Sequence, residues 1–194
     1  MRLIIVRHGE TEENLRDVIQ GHLPGVLSKN GIEQARKVAL RLKKERIDFI
    51  YSSDLARAVD TAKEIVRHHP EARLTFTPEL RERHMGEFEG KTHREIGWDV
   101  IEMSGTYPDP KSGESKKQML ERVGHFLSEI AGKHPQGNIL LVGHGGSIGA
   151  LLTHLVGKEF TDDNKKDLKN TGVTVIEVGR EGTKLHLFNC TAHL

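Results

Sequence analysis

Short apolar runs in this chain alternate with stretches whose apolar residues recur at helical spacing, and that alternation constrains the fold more than any other feature. Strand-length runs fall at Leu3 to Arg7, Asp48 to Ser52, Arg73 to Thr77, Asn138 to Gly143, Val173 to Val178 and Lys184 to Asn189. Two of them, "LIIV" and "ILLV", are apolar without a break, the pattern of strands covered on both faces. Between the runs, Ile32, Ala35, Val38, Ala39 and Leu42 follow the period of an amphipathic helix, as do Leu55, Ala58, Val59, Ala62, Ile65 and Val66. Ser115 and Gln118 form a capping box ahead of Met119, Val123, Phe126, Leu127 and Ile130, and a fourth helix is predicted from about Ser147 to Val156. The expected fold is α/β: a three-layer α/β/α sandwich around a six-stranded, mostly parallel mixed sheet. The linker Gly179 to Thr183 has hairpin length, so one of the last two strands is expected to run antiparallel.

The 194 residues fit one domain, 1–194, with a small cap subregion at about 78–114. Lys and Arg number 29 against 28 Asp and Glu, a net charge of +1, which leaves no global field to hold nucleic acid or an anionic membrane. Any anion site must be local. Only Leu3 to Val6 are consecutively apolar after Arg2, too few for a signal-peptide core or a membrane span, so a cytoplasmic protein is expected. Cys190 is the only cysteine, which excludes an internal disulfide and a cysteine-based metal cluster; it is read as a buried, inert thiol.

Two stretches fit the alternation badly, Gly9 to Ser28 and Pro78 to Glu114, and loops that long in a compact domain usually bind or cover something. Both are expected to flank a site. Three polar signals follow directly on predicted buried strands: Arg7-His8-Gly9, Ser52 to Arg57, and Gly143-His144-Gly145-Gly146. The carboxyl ends of parallel strands share one edge, where ligands bind, so residues distant in sequence can meet there. Arg7 beside His8 makes most sense facing a negative charge. Arg57 would sit in the first turn of a helix capped by Ser53 or Asp54, where a cation opposes the positive end of the helix dipole and a bound anion resolves the conflict. The plainer reading of Arg57 alone is an exposed side chain paired with Asp54 or Asp60. "GHGGSIG" fits neither a dinucleotide fingerprint nor a P-loop, and what remains is a glycine-flanked histidine at a strand end.

At this point the residues resemble the histidine phosphatase superfamily, which includes the cofactor-dependent phosphoglycerate mutases. Its opening R-H-G-x-T/S-x-x-N stands here as Arg7 to Asn14, L-S/T-x-x-G as Leu27 to Gly31, and S-x-L-x-R-A-x-x-T-A as Ser53 to Ala62. L-x-E-x-x-x-G-x-x-E-G stands as Leu80 to Gly90, and the closing G-H-G-G as Gly143 to Gly146. Five motifs in the family's order are specific.

The resemblance implies that His8 attacks phosphorus and forms a phosphohistidine, neutral when it does so. It implies that Arg7, Arg57 and His144 hold the phosphoryl oxygens, His144 as a donor, with Asn14 and the Gly145 backbone as further phosphate contacts and Gln20 lining the entrance. It makes Glu82 the proton donor, a choice the residues alone leave open among Glu79, Glu82, Glu87 and Glu89. No metal and no cofactor are implied. His68 and His69 have no metal-ligand spacing and read as surface or satisfied core histidines.

The resemblance also bears on which reaction is run. Mutases of the family carry a longer insertion after the Glu motif with adjacent arginines, whereas this stretch is short and has no Arg-Arg pair. A phosphatase acting on small phosphorylated metabolites is therefore expected, as a monomer or homodimer that also binds free phosphate. Phosphoglycerate mutase and a fructose-2,6-bisphosphatase-like sugar phosphatase are the alternatives. Phe88, Trp98, Met103 and Tyr107 either give the cap an apolar face toward nonpolar leaving groups or simply pack it.

Overall fold

The computed structural model describes residues 1–97, 108–157, 168–179 and 182–194. The predicted Trp98, Met103 and Tyr107 of the cap lie outside them. Strands β1 (Arg2–Arg7), β2 (Phe49–Ser53), β3 (Arg73–Thr77), β4 (Asn138–Gly143), β5 (Val173–Gly179) and β6 (Gly182–Cys190) form one sheet in the order β3-β2-β4-β1-β5-β6. The first four run parallel, β5 runs antiparallel to β1, and β6 is antiparallel to β5. The helices are α1 (Glu12–Leu15), α2 (Lys29–Leu42), α3 (Ala56–Val66), α4 (His93–Ile96), α5 (Lys116–Lys133) and α6 (Gly145–Val156), with short 3-10 turns at Pro78–Leu80 and Gly86–Phe88.

Alternation along β1 shows why the sheet needs two covers. Leu3 and Ile5 face a core built with Met119, Val123, Phe126 and Ile130 of α5 and Ile148 and Leu151 of α6. Ile4 and Val6 face the opposite core, with Val38, Ala39 and Leu42 of α2 and Ala58, Ala62 and Ile65 of α3. All four side chains are buried, so the strand has no polar face to show. Hence three layers.

The order of connections makes the site. The chain leaves β1 toward α2 on one face of the sheet and leaves the adjacent β4 into α6 on the other. Diverging exits from neighbouring parallel strands open a crevice at their carboxyl ends. The two long loops close over it: Val18 bridges to Thr92, Ile19 N–H donates to Lys91 O and Gly90 N–H to Ile19 O, around a small cluster of Ile19, Met85, Phe88 and Ile96.

Some boundaries differ from the sequence reading. Helix α6 begins at Gly145 rather than Ser147, because the glycine pair forms its first turn, where backbone N–H groups need no intrahelical partner. Leu55, not Ser53 or Asp54, occupies the N-cap of α3; Ser53 Oγ instead accepts from Leu55 N–H at 3.2 Å. The Ser115–Gln118 capping box forms as expected. Cys190 is half-exposed rather than buried, and hydrogen bonds from the Ala192 backbone and Arg41 draw its thiol below its usual pKa. His69 is buried with Nε2 unpartnered, and burial lowers its pKa; it is not a fully satisfied core histidine.

Candidate active site

His8 is the first residue beyond β1 and His144 the first beyond β4. The strands end level, with Arg7 opposite Gly143, and His8 N–H donates to Gly143 O at 3.0 Å. That register brings the two imidazoles to a centroid separation of 5.1 Å at a tilt of 53°. Both are buried.

Hydrogen bonding fixes which nitrogen of His8 can act. Nδ1 lies 2.7 Å from the Gly9 carbonyl, which can only accept, so Nδ1 carries the proton and a neutral ring keeps its lone pair on Nε2. Burial, reinforced by Arg57 and Arg7, drives the His8 pKa well below its usual value. The ring is therefore uncharged at neutral pH.

His144 is neutral for the same reasons: burial first, then Arg57, His8 and Arg7. Its Nδ1 accepts from Arg57 Nε at 3.1 Å and its Nε2 lies 2.8 Å from Ser53 Oγ. The expected donor thus accepts at Nδ1 in this structure, because an arginine N–H can only donate.

Arg57 is 1% exposed. Its guanidinium donates to the carbonyls of Leu23 at 2.6 Å and Gly21 at 2.9 Å, and burial lowers its pKa to about 10 against the opposing pull of Glu82. The plainer sequence reading is overturned: Asp54 is taken by Arg81 in a two-pronged pair at 2.6 Å, and Asp60 by Lys63. Among the described residues no carboxylate hydrogen-bonds Arg57. Arg7 projects beside it, donating to Leu168 O, with Nε buried and unpartnered. Two guanidiniums with no carboxylate partner among the described residues, beside neutral imidazoles, make a place for an anion.

Glu82 reaches this cluster from the cap. Its carboxylate accepts from Gly146 N–H at 3.0 Å and Arg83 N–H at 2.8 Å. A Cβ on Gly146 would collide with that carboxylate, which explains the last glycine of "GHGG". Behind the acid, Arg122 of α5 donates to Glu79 O at 2.6 Å while forking onto Glu114.

The remaining predicted contacts divide. Asn14 Oδ1 accepts from Thr11 N–H at 3.1 Å inside the α1 capping box, leaving its amide N–H groups for other partners. Gly145 opens α6 directly after His144. Gln20, expected to line the entrance, is 8% exposed, with Oε1 buried and unpartnered near Gly25. The loops also bring residues that the sequence reading did not assign. His22 donates from Nε2 to Glu82 O at 2.9 Å and stacks on His84 at 4.8 Å. Thr61 accepts from Gly9 N–H, and Ser53 holds His144. Their hydroxyls sat in a recognised motif, yet nothing in a linear pattern says which backbone group they face. Among the described residues no three His, Cys, Asp or Glu side chains are grouped to hold a metal ion, and no helix is long and apolar enough to cross a membrane.

Fold and site define an α/β protein with two buried histidines paired at the carboxyl edge of its parallel strands. The chain belongs to the histidine phosphatase superfamily (branch 1), whose family model matches residues 3–191. It is 38% identical to phosphoglycerate mutase-like protein 4 of Arabidopsis thaliana over 77% of this chain and 68% of that one. It is 32% identical to the metal-independent phosphoserine phosphatase of Arabidopsis thaliana over 99% of this chain and 82% of that one. Among solved structures, phosphoserine phosphatase from Entamoeba histolytica, in a mutant form bound to phosphoserine, superposes with a TM-score of 0.86 at 32% identity, covering 100% and 98% of the two chains. The protein is a phosphatase of this superfamily.

Proposed function

We propose that the protein is a metal-independent phosphomonoesterase for small phosphorylated metabolites, working through a phosphohistidine on His8. The observation that carries this reading is the neutral, buried His8 with its lone pair on Nε2, close enough to Arg57 and Arg7 to feel both charges, two guanidiniums with no carboxylate partner among the described residues. In the first step Nε2 attacks phosphorus, the bond from phosphorus to the leaving oxygen breaks, and Glu82 gives that oxygen a proton. In the second, the Glu82 carboxylate takes a proton from water, the oxygen attacks phosphorus, and the N–P bond breaks to free His8 and phosphate. Arg7 and Arg57 offset the charge on the phosphoryl oxygens in both transition states, joined by Asn14 and the Gly145 N–H. Ser53 Oγ already accepts from Leu55 N–H, so its own proton can go to His144 Nε2. His144 Nδ1 would then donate to the phosphoryl group as Arg57 turns onto it.

Phosphate release from a metabolite panel that includes phosphoserine, 3-phosphoglycerate and fructose 2,6-bisphosphate, with chelator present, tests the reading. Release that survives the chelator and vanishes in His8→Ala supports it. Interconversion of 2- and 3-phosphoglycerate faster than phosphate release would make the protein a mutase instead.

A further inference from the structure

The segment Leu168 to Gly172, which leads into β5, carries none of the motifs that pointed to the site, yet it meets the nucleophile from behind. Leu168 O accepts from the Arg7 guanidinium, and Thr171 N–H donates to Arg7 O at 3.0 Å. Between them, the Asn170 side chain donates from Nδ2 to the carbonyl of His8 itself at 2.9 Å and faces Asn14 Oδ1 at 3.5 Å.

These contacts fix the orientation of two amides. The His8 carbonyl can only accept, so the Asn170 atom on it is nitrogen. The same NH2 group faces Asn14, whose near atom already accepts from Thr11 N–H and is therefore oxygen. The NH2 group of Asn14 is left to point away from both donors. Asn170 thus holds the backbone that carries the imidazole and favours the one amide orientation in which Asn14 can donate to a phosphoryl oxygen.

The segment is itself held in place. Lys169 N–H donates to Asn189 Oδ1 at 2.9 Å, and Thr171, buried with a left-handed φ of 54°, touches His193 Nε2 through its hydroxyl at 3.2 Å. A non-glycine residue holds such a backbone only where its surroundings over-determine it. Here the result is two successive residues, Asn170 and Thr171, aimed at the two carbonyls of Arg7 and His8.

We propose that Asn170 is a positioning residue, setting His8 and Asn14 in line with the phosphorus atom. This deepens the phosphatase reading and rests on it. A misplacement of the order of 1 Å costs about a hundredfold in rate, so Asn170→Ala is expected to lower kcat about tenfold to a hundredfold. The affinity for vanadate should weaken at least about tenfold, while the melting temperature moves by only a few degrees. Asn170→Asp keeps the shape but sets a carboxylate beside His8, which among the described residues is flanked by Arg7, Arg57 and His144. The acid limb of kcat/KM and the NMR titration of the His8 ring should both move upward, by about one pH unit or more.

A purely structural role would lower stability without moving that titration. Asn170→Ala with kcat and vanadate affinity within twofold of the parent, or Asn170→Asp with an unmoved His8 titration, would overturn the proposal. The titration needs no turnover. A parent protein that releases no phosphate would therefore sink the phosphatase reading while leaving the positioning of His8 by Asn170 still decided by the ring titration.

Discussion

At the scale of single residues, this site is built from groups whose second contacts decide what their first can do. Gly146 gives Glu82 its hydrogen bond and, by lacking a side chain, its space. Gly146→Ala should therefore displace the acid and cut kcat for a poor, alkoxide leaving group at least about tenfold, with much less effect on p-nitrophenyl phosphate, whose leaving oxygen needs little protonation. Steady-state kinetics on both substrates check this; equal losses on the two would remove Glu82 from the proton-donor role. Ser53 faces the far nitrogen of His144, and Ser53→Ala is expected to lower kcat by about 1 to 2 kcal/mol of barrier, roughly five- to thirtyfold, by releasing the tautomer of that ring. Nitrogen NMR of His144 in the parent and the variant would show whether the tautomer shifts. The depressed pKa of His8 has a kinetic consequence of its own. An unshifted histidine would gain its proton near pH 6.5, so the acid limb of kcat/KM should lie clearly below that pH.

At the scale of elements, a hydroxyl of helix α3 holds the backbone just beyond β1. Thr61 Oγ1 accepts from Gly9 N–H at 3.0 Å and donates to Arg57 O at 2.8 Å, all of it buried. Thr61→Val leaves Gly9 N–H without a partner and should cost about 1 to 3 kcal/mol in urea denaturation, with Thr61→Ser costing less; equal costs would show that the methyl group, not the hydroxyl, is what the site needs. Much of this level was legible in the sequence. Uninterrupted apolar runs gave β1 and β4, because strands covered on both faces leave no polar positions to confuse the pattern. The first turn of α6 was missed because glycines weaken a helical signal, although here they are needed for the approach of Glu82. Arg57 shows the limit more sharply: its conflict with the helix dipole was visible, but its burial depends on carbonyls from the loop at Gly21 to Pro24, more than thirty residues away. Asn170 was missed for a related reason, since it acts through backbone atoms, and no spacing of side chains records that.

Across the whole molecule, the same burial that keeps the site histidines neutral makes the fold sensitive to acid. The folded pKa values of His8 and His144 lie below those of the unfolded chain, so between the two values the unfolded state binds more protons. Stability is then fully present above about pH 6.5 and is lost as the pH falls below it, by up to about 1.4 kcal/mol per pH unit for each ring. His193, brought down to about 4 by burial and Arg41, acts in the same direction. Denaturation midpoints in phosphate-free buffer should fall between pH 6.5 and 4.5, and His8→Gln should flatten that slope. A midpoint independent of pH over this window would mean that the rings can be charged where they sit.

The claim on which everything else depends is that the phosphoryl group passes to Nε2 of His8. Rapid quenching of Glu82→Gln, in which water activation is slowed, during turnover of p-nitrophenyl phosphate, followed by mass spectrometry under alkaline conditions, reads this directly. The account predicts one phosphoryl group per chain, on His8, and none when His8 is also replaced by Ala. Label on another residue, or undiminished hydrolysis by His8→Ala, would contradict it.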